Sequence, residues 1–186
     1  MSTTITRSAV PTGTWTIDPA HSKVGFAVKH MGIATVRGEF AGFEGTLEIS
    51  DDLGTATARG IVKAETVDTS EPQRDAHLRS ADFFDVEQHP EISFESTEIE
   101  PVDDESFRVT GNLTLHGVTN EITLDAEVQG TDIDPWGNER VGLEITGSLS
   151  RGDYGMRFNQ ALGSGNMLVA DKVKIALDIS AVRQSA

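Results

Sequence analysis

The chain contains no cysteine, which excludes disulfides, thiol nucleophiles and Cys-ligated metal sites. Positive charge is scarce: Lys+Arg number 15 against 30 Asp+Glu, and the net charge of −15 opposes docking on a phosphate backbone or an anionic lipid surface. Nucleic acid is therefore not expected as a partner. No apolar run reaches the roughly 18 residues that a membrane span needs, so no transmembrane segment is expected. Met1 to Pro11 lacks the apolar stretch of a secretory leader, and as written the sequence reads as cytoplasmic. Low-complexity tracts, fixed-period repeats and internal domain boundaries are also missing.

What remains is a chain of 186 residues, long enough for one domain that needs neither metal nor disulfide to hold it together. Its dominant period is two. Val24-Phe26-Val28, Phe43-Gly45-Leu47-Ile49, Ile92-Phe94, Val109-Gly111-Leu113-Leu115, Ile122-Leu124-Ala126-Val128, Val141-Leu143-Ile145 and Val173-Ile175-Leu177-Ile179 each alternate with polar or small residues, the pattern of half-buried strands. Turn residues separate them at Asp51-Asp52-Leu53-Gly54, Pro101-Val102-Asp103-Asp104 and Asp134-Pro135-Trp136-Gly137-Asn138, as in antiparallel hairpins. The reading is a flexible segment 1–13, a barrel domain 14–183 and a tail 184–186.

One stretch breaks the alternation. Ser70-Glu71-Pro72-Gln73 has capping-box spacing with proline in the first turn, and Asp75 and Arg79 stand four apart, so a helix of two to three turns ending near Ser80 is expected. Phe83 and Phe84 follow it and are placed to plug a barrel end. Glycines inside the strands, among them Gly25, Gly38, Gly45, Gly60 and Gly111, permit the bends by which a sheet curls shut. The fold class expected is all-β: a single closed antiparallel up-and-down barrel of about eight strands with one short inserted helix, its interior apolar.

Several strings are more specific than any alternation. Trp15-Thr16-Ile17-Asp18-Pro19-Ala20-His21-Ser22, Lys29-His30-Met31, Arg74-Asp75-Ala76-His77-Leu78 with Asp82-Phe83-Phe84-Asp85, Gly111 to Thr119, and Arg151-Gly152-Asp153-Tyr154-Gly155-Met156 occur in this order. Over Trp15 to Val182 the chain resembles the YceI-like family, bacterial lipid- or polyisoprenoid-binding domains with a lipocalin-like barrel. The resemblance implies an extended barrel with an inserted helix and a long isoprenoid chain held inside. Many members of that family are periplasmic and begin with a secretory signal, which departs from the sequence as written.

Catalytic and metal signals are weak. The five histidines show no ligand spacing and read as hydrogen-bonded groups closing strand ends. Asp18, His21 and Ser22 are explained by a turn initiated at Asp18-Pro19, and no G-x-S-x-G elbow occurs. Neither a catalytic nor a metal residue is assigned, and no cofactor is expected beyond a lipid ligand. The resemblance implies that Arg151 pairs with Asp153, and residues 158–167 are expected to form a flap over the barrel mouth.

The expected function is a non-enzymatic carrier that sequesters or transports a polyprenyl or quinone-type lipid. Its expected wall comprises Phe26, Val28, Phe40, Phe43, Phe84, Phe94, Leu113, Leu115, Leu143 and Ile175, with His30, Arg74 and His77 as polar contacts. Two alternatives stay open: an isomerase or hydrolase using a histidine at the barrel mouth, and a stress-related interaction protein whose barrel is packed solid. The expected partner is an isoprenoid or other long apolar lipid, and homodimerisation is compatible with the sequence.

Overall fold

A computed structural model describes residues 9–185. Eleven strands form one sheet: β1 Gly13–Ile17, β2 Lys23–His30, β3 Ala34–Phe40, β4 Phe43–Ile49, β5 Thr57–Lys63, β6 Val67–Asp68, β7 Glu91–Pro101, β8 Ser106–Leu115, β9 Val118–Ile133, β10 Glu139–Ser150 and β11 Val169–Arg183. Every pairing is antiparallel. Eight of the strands, in the order β1-β4-β5-β7-β8-β9-β10-β11, close into a ring through the β1–β11 pairing. The fold is thus the closed eight-stranded barrel, with β2, β3 and β6 as an extension from β11.

The extension continues strands that a crease interrupts. β1 and β2 are broken by a 3-10 turn at Pro19–His21, β3 and β4 by Ala41 and Gly42, and β5 and β6 by a 3-10 turn at Ala64–Thr66. The breaks lie side by side, since β1 pairs with β4 and β2 with β3, while the Ala41 amide donates to the Thr66 carbonyl across the gap. Asp18 begins the first break as an N-cap, accepting from the Ala20 amide at 3.0 Å. Its neighbour Ser22 donates to the Ser180 carbonyl and accepts from the Ser180 amide, so this trio is turn and strand chemistry with no free nucleophile.

Alternation sets which face looks inward. Val24, Phe26 and Val28 on β2 stand opposite Phe40, Gly38 and Val36 on β3. Phe94 on β7 is paired with Leu113 on β8. A bulge between Ser96 and Glu98 then flips the parity of β7, so that Ile99 replaces an even-numbered residue on the inner face. Glycine at two inner positions does more than permit curvature. A Cβ at Gly38 would lie 2.4 Å from Phe26 Cζ, and one at Gly111 would lie 2.6 Å from Phe94 Cζ; each glycine is the seat of a neighbouring ring.

The inserted helix, α1 Pro72–Arg79, is capped differently from the sequence expectation. Its N-cap is Glu71, whose carboxylate accepts from the Arg74 amide at 2.6 Å, and Ser70 sits one residue outside with a φ of 64°. Asp75 and Arg79 do not pair. Asp75 is buried and accepts from the Thr69 amide and hydroxyl, while Arg79 donates to the Glu65 carbonyl, because carbonyl and hydroxyl partners within the fold outcompete an exposed ion pair. Of the segment expected to be flexible, residues 1–8 lie outside the described residues. Val10 is buried in the core, and β1 begins at Gly13.

Candidate functional site

Apolar packing gathers at the two ends of the barrel. Where the termini and the β4–β5, β7–β8 and β9–β10 turns meet, Val10, Trp15, Leu53, Phe107, Val141 and Ala181 form the floor. At the other end Phe83, Leu113, Leu115, Tyr154 and Met156 cluster beneath α1 and the loop between β10 and β11. Between them lies a cavity of about 500 Å³, within the size range of small-molecule sites, with walls that are almost wholly apolar. Many inward side chains are only half-buried because they border this space: Phe26, Val28, Phe94, Ile145 and Ile175 all do so. The interior is therefore hollow, against the solid packing that the interaction-protein alternative requires.

The structure places Phe26, Val28, Phe40 and Phe43 on the cavity wall from β2, β3 and β4, and Phe94, Leu113, Leu115, Leu143 and Ile175 from β7, β8, β10 and β11. Phe84 reaches it from the segment after α1, and its ring meets Phe40 edge-on at 5.5 Å. His30, Arg74 and His77 also border it, His30 from the last position of β2 and the other two from α1. Arg151 and Met156, which sequence reasoning did not select for the wall, complete the cap end of the same cavity together with Leu78, Phe83 and Phe158. Their segments lack strand alternation. The available signal was local: two adjacent phenylalanines after a short helix, and a loop expected to fold over the mouth.

Basic and imidazole groups give this end its polarity. Arg74 donates through Nε to the Thr69 hydroxyl at 2.7 Å and through Nη2 to the Thr69 carbonyl at 2.8 Å, and Thr69 is itself held by the buried Asp75. The helix thereby fixes the guanidinium plane. His77 stands edge-on to Phe83 at 5.0 Å and to Phe158 at 4.9 Å, and its Nε2 is 2.8 Å from Asp82. This His–carboxylate pair is the geometry an acid–base site needs, but both side chains are about half-exposed and Asp82 does not border the cavity.

Arg151 is buried, 4% exposed, and donates to the carbonyls of Ala170, Met156 and Val169. Burial pushes its pKa down from the usual guanidinium value, opposed by the charge of Asp171. The expected Arg151–Asp153 pair is not formed. Asp153 lies on the exposed side of the 3-10 turn Arg151–Tyr154, and the guanidinium is instead spent on three backbone carbonyls. The loop 156–168 is tied back by the Leu168 amide to the Gln160 carbonyl and by the Met31 amide to the Leu168 carbonyl, which sets Phe158 over the cavity.

The strongest electrostatic cluster lies elsewhere, on the floor side. Arg140 bridges Asp18 and Asp134 at 2.8 Å each, and His21 adds a 2.7 Å contact to Asp18. Arg140 first, then the His21 hydrogen bond, hold the Asp18 carboxyl down to about 2. Arg140 does the same for Asp134, also to about 2. None of these four side chains borders the cavity, so the cluster staples chain segments and faces no ligand.

Among the described residues no helix is long and apolar enough to cross a membrane. A sequence profile of the YceI-like domain matches residues 15–181. A UPF0312 protein of Pectobacterium atrosepticum is 34% identical over 165 residues, covering 88% of this chain and 82% of that protein. Among solved structures, the YceI protein of Campylobacter jejuni superposes with a TM-score of 0.71 at 28% identity, covering 90% of this chain and 96% of the other. A polyisoprenoid binding domain from Saccharophagus degradans, implicated in plant cell wall breakdown, shares the fold at a TM-score of 0.69 and 15% identity, over 91% of this chain and 98% of that one. With the barrel, the inserted helix and the profile match all spanning the same residues, the chain belongs to the YceI-like family.

Proposed function

We propose that the chain is a non-enzymatic carrier that holds one long isoprenoid-type lipid in its barrel. The observation that carries this reading is the cavity of about 500 Å³ inside the barrel, whose walls are almost wholly apolar and whose rim carries Arg74, His77 and His30. An apolar tail laid along Phe26, Phe94, Leu143 and Ile175 leaves water at a gain of roughly 0.8 kcal/mol per CH₂. The wall offers no hydrogen-bond donors along most of its length, so it accepts a chain without dictating its polar substitution. A head group then lies toward Arg74, His77 and His30. The polyisoprenoid binding domain with the same fold supports the choice of ligand class.

Native mass spectrometry of the purified protein, followed by organic extraction, tests the proposal. An isoprenoid released near one-to-one is the expected result. A protein that carries no lipid and takes up neither polyprenols nor quinones on addition overturns it. An enzyme reading would instead require turnover of a small apolar substrate that is lost when the His77–Asp82 pair is broken.

A further inference from the structure

Outside the cavity, at the rim of the cap end, Asp85, His89 and His116 each bring a ligand-type atom within 4.8 Å of the other two. They arrive from two separate parts of the chain. Asp85 and His89 stand four apart on the turn after α1, where the Gln88 and His89 amides both donate to the Asp85 carbonyl. His116 opens the two-residue turn between β8 and β9. It has a φ of 54° and Gly117 a φ of 73°, the conformation in which Asn-Gly or Asp-Gly is usual. Asp85 also has a positive φ, 48°.

The imidazoles are oriented. His116 Nδ1 lies 2.9 Å from the Tyr154 carbonyl, which only accepts, so Nδ1 carries the proton and Nε2 is left to face outward as a lone pair. A backbone carbonyl on the far nitrogen is the usual outer partner of a metal-bound histidine. The His89 ring lies against Gly117, where a Cβ would come within 2.6 Å of its Cε1, and it stands 5.0 Å from the His116 ring at 65°. All three side chains are half-buried. Among the described residues the Asp85 carboxylate and both nitrogens of His89 have no hydrogen-bond partner within the protein, which leaves them available to an incoming ion.

We infer that Asp85, His89 and His116 bind a divalent transition metal of the zinc class, through one carboxylate oxygen and two imidazole nitrogens, with water completing the shell. A tetrahedral ion at about 2.0–2.1 Å from each donor needs donors roughly 3.4 Å apart, within reach of small side-chain rotations from the observed spacing. Imidazole with carboxylate suits Zn²⁺, and without thiolate the site disfavours softer ions. The site joins the segment that carries Phe83 and Phe84 over the cavity to the barrel rim, and the bound ion fastens the two together. It lies outside the cavity and is independent of any lipid inside.

The test is calorimetric titration of the full chain with Zn²⁺, paired with Co²⁺ absorption. One-to-one binding with visible bands of a low-symmetry Co²⁺ site is expected, weakened at least tenfold by His89→Gln, His116→Gln or Asp85→Asn and unchanged by His21→Gln. Circular dichroism of each metal-free variant checks folding. In the unsubstituted protein, Zn²⁺ should shift the NMR signals of the His89 and His116 rings and leave those of His21 and His30 in place. Failure to bind at micromolar Zn²⁺, or binding that survives both histidine substitutions, overturns the inference.

Discussion

At the floor of the barrel Trp15 and Ala181 have no exposed surface and Val141 has 1%, and their neighbours are apolar. At the cap Phe83, Tyr154 and Met156 are also buried, but they share the space with Arg74, His77 and Arg151, and the elements above them are a two-turn helix and a loop. The floor is closed by a hydrogen-bonded ring of strands. The cap is closed by side chains and by carbonyl contacts of isolated arginines. The difference separates two tasks that a solid core combines: the floor supplies cohesion, and the cap supplies a wall with polarity that a ligand can displace.

The contrast is most easily broken at Trp15. Trp15→Ala should cost about 3–5 kcal/mol in denaturant unfolding, the range for emptying a packed aromatic site. Phe26→Ala should cost about 1–2 kcal/mol, because its ring already borders open space and only part of the transfer free energy is at stake. Equal losses would mean that the cavity wall is as tightly packed as the floor. Val28→Trp sharpens the comparison from the other side. Its indole grows into the cavity, so stability should change by less than about 1 kcal/mol, below the usual penalty of overpacking a full core, while uptake of the proposed lipid should fall.

Acid titration examines the floor at Asp18 and Asp134. Asp18 and Asp134 have carboxyls held near 2, below the ordinary value of about 3.9, so their ion pairs with Arg140 stabilise the protein fully above that value. This stabilisation disappears as pH falls from about 4 towards 2, where the folded-state carboxyls take up protons. Arg140→Met should return Asp134 close to the ordinary value and Asp18 less far, since the His21 hydrogen bond remains, and NMR titration of the two carboxyls reads both. Acid unfolding should then begin at higher pH. The smallest expected effect is at the cap. The Tyr154 hydroxyl is buried and makes no hydrogen bond of ordinary geometry, and burial pushes its pKa up. Tyr154→Phe should leave stability within about 1 kcal/mol of the parent or raise it slightly.

Strand alternation made the cavity wall legible. A hollow barrel still sorts residues by parity, so Phe26, Val28, Leu113, Leu143 and Ile175 stand out against charged neighbours whether the space between them is filled or empty. β3 and β5 escaped notice because Arg37, Gly38 and Glu39, and Arg59 and Gly60, dilute their apolar pattern. The parity change at Ser96 has no sequence marker, since a bulge is a property of two strands together. The partners of Arg74 and Arg151 are mostly backbone carbonyls, which every residue carries, so residue types alone did not point to them. Asp85, His89 and His116 meet only because the β8–β9 turn folds back beside the segment leaving α1, and their spacing along the chain matches no ligand pattern.

The crease across the first strands also decides where the wall can yield. Below it, every strand of the ring has a hydrogen-bonded neighbour on both sides. Above it, the sheet ends at β6, and no ladder joins β6 to β7; the 69–90 segment, with α1, spans that interval. A long molecule threading in sideways at this point has to displace packed side chains and a helix, but it does not have to unzip a single pair of strands.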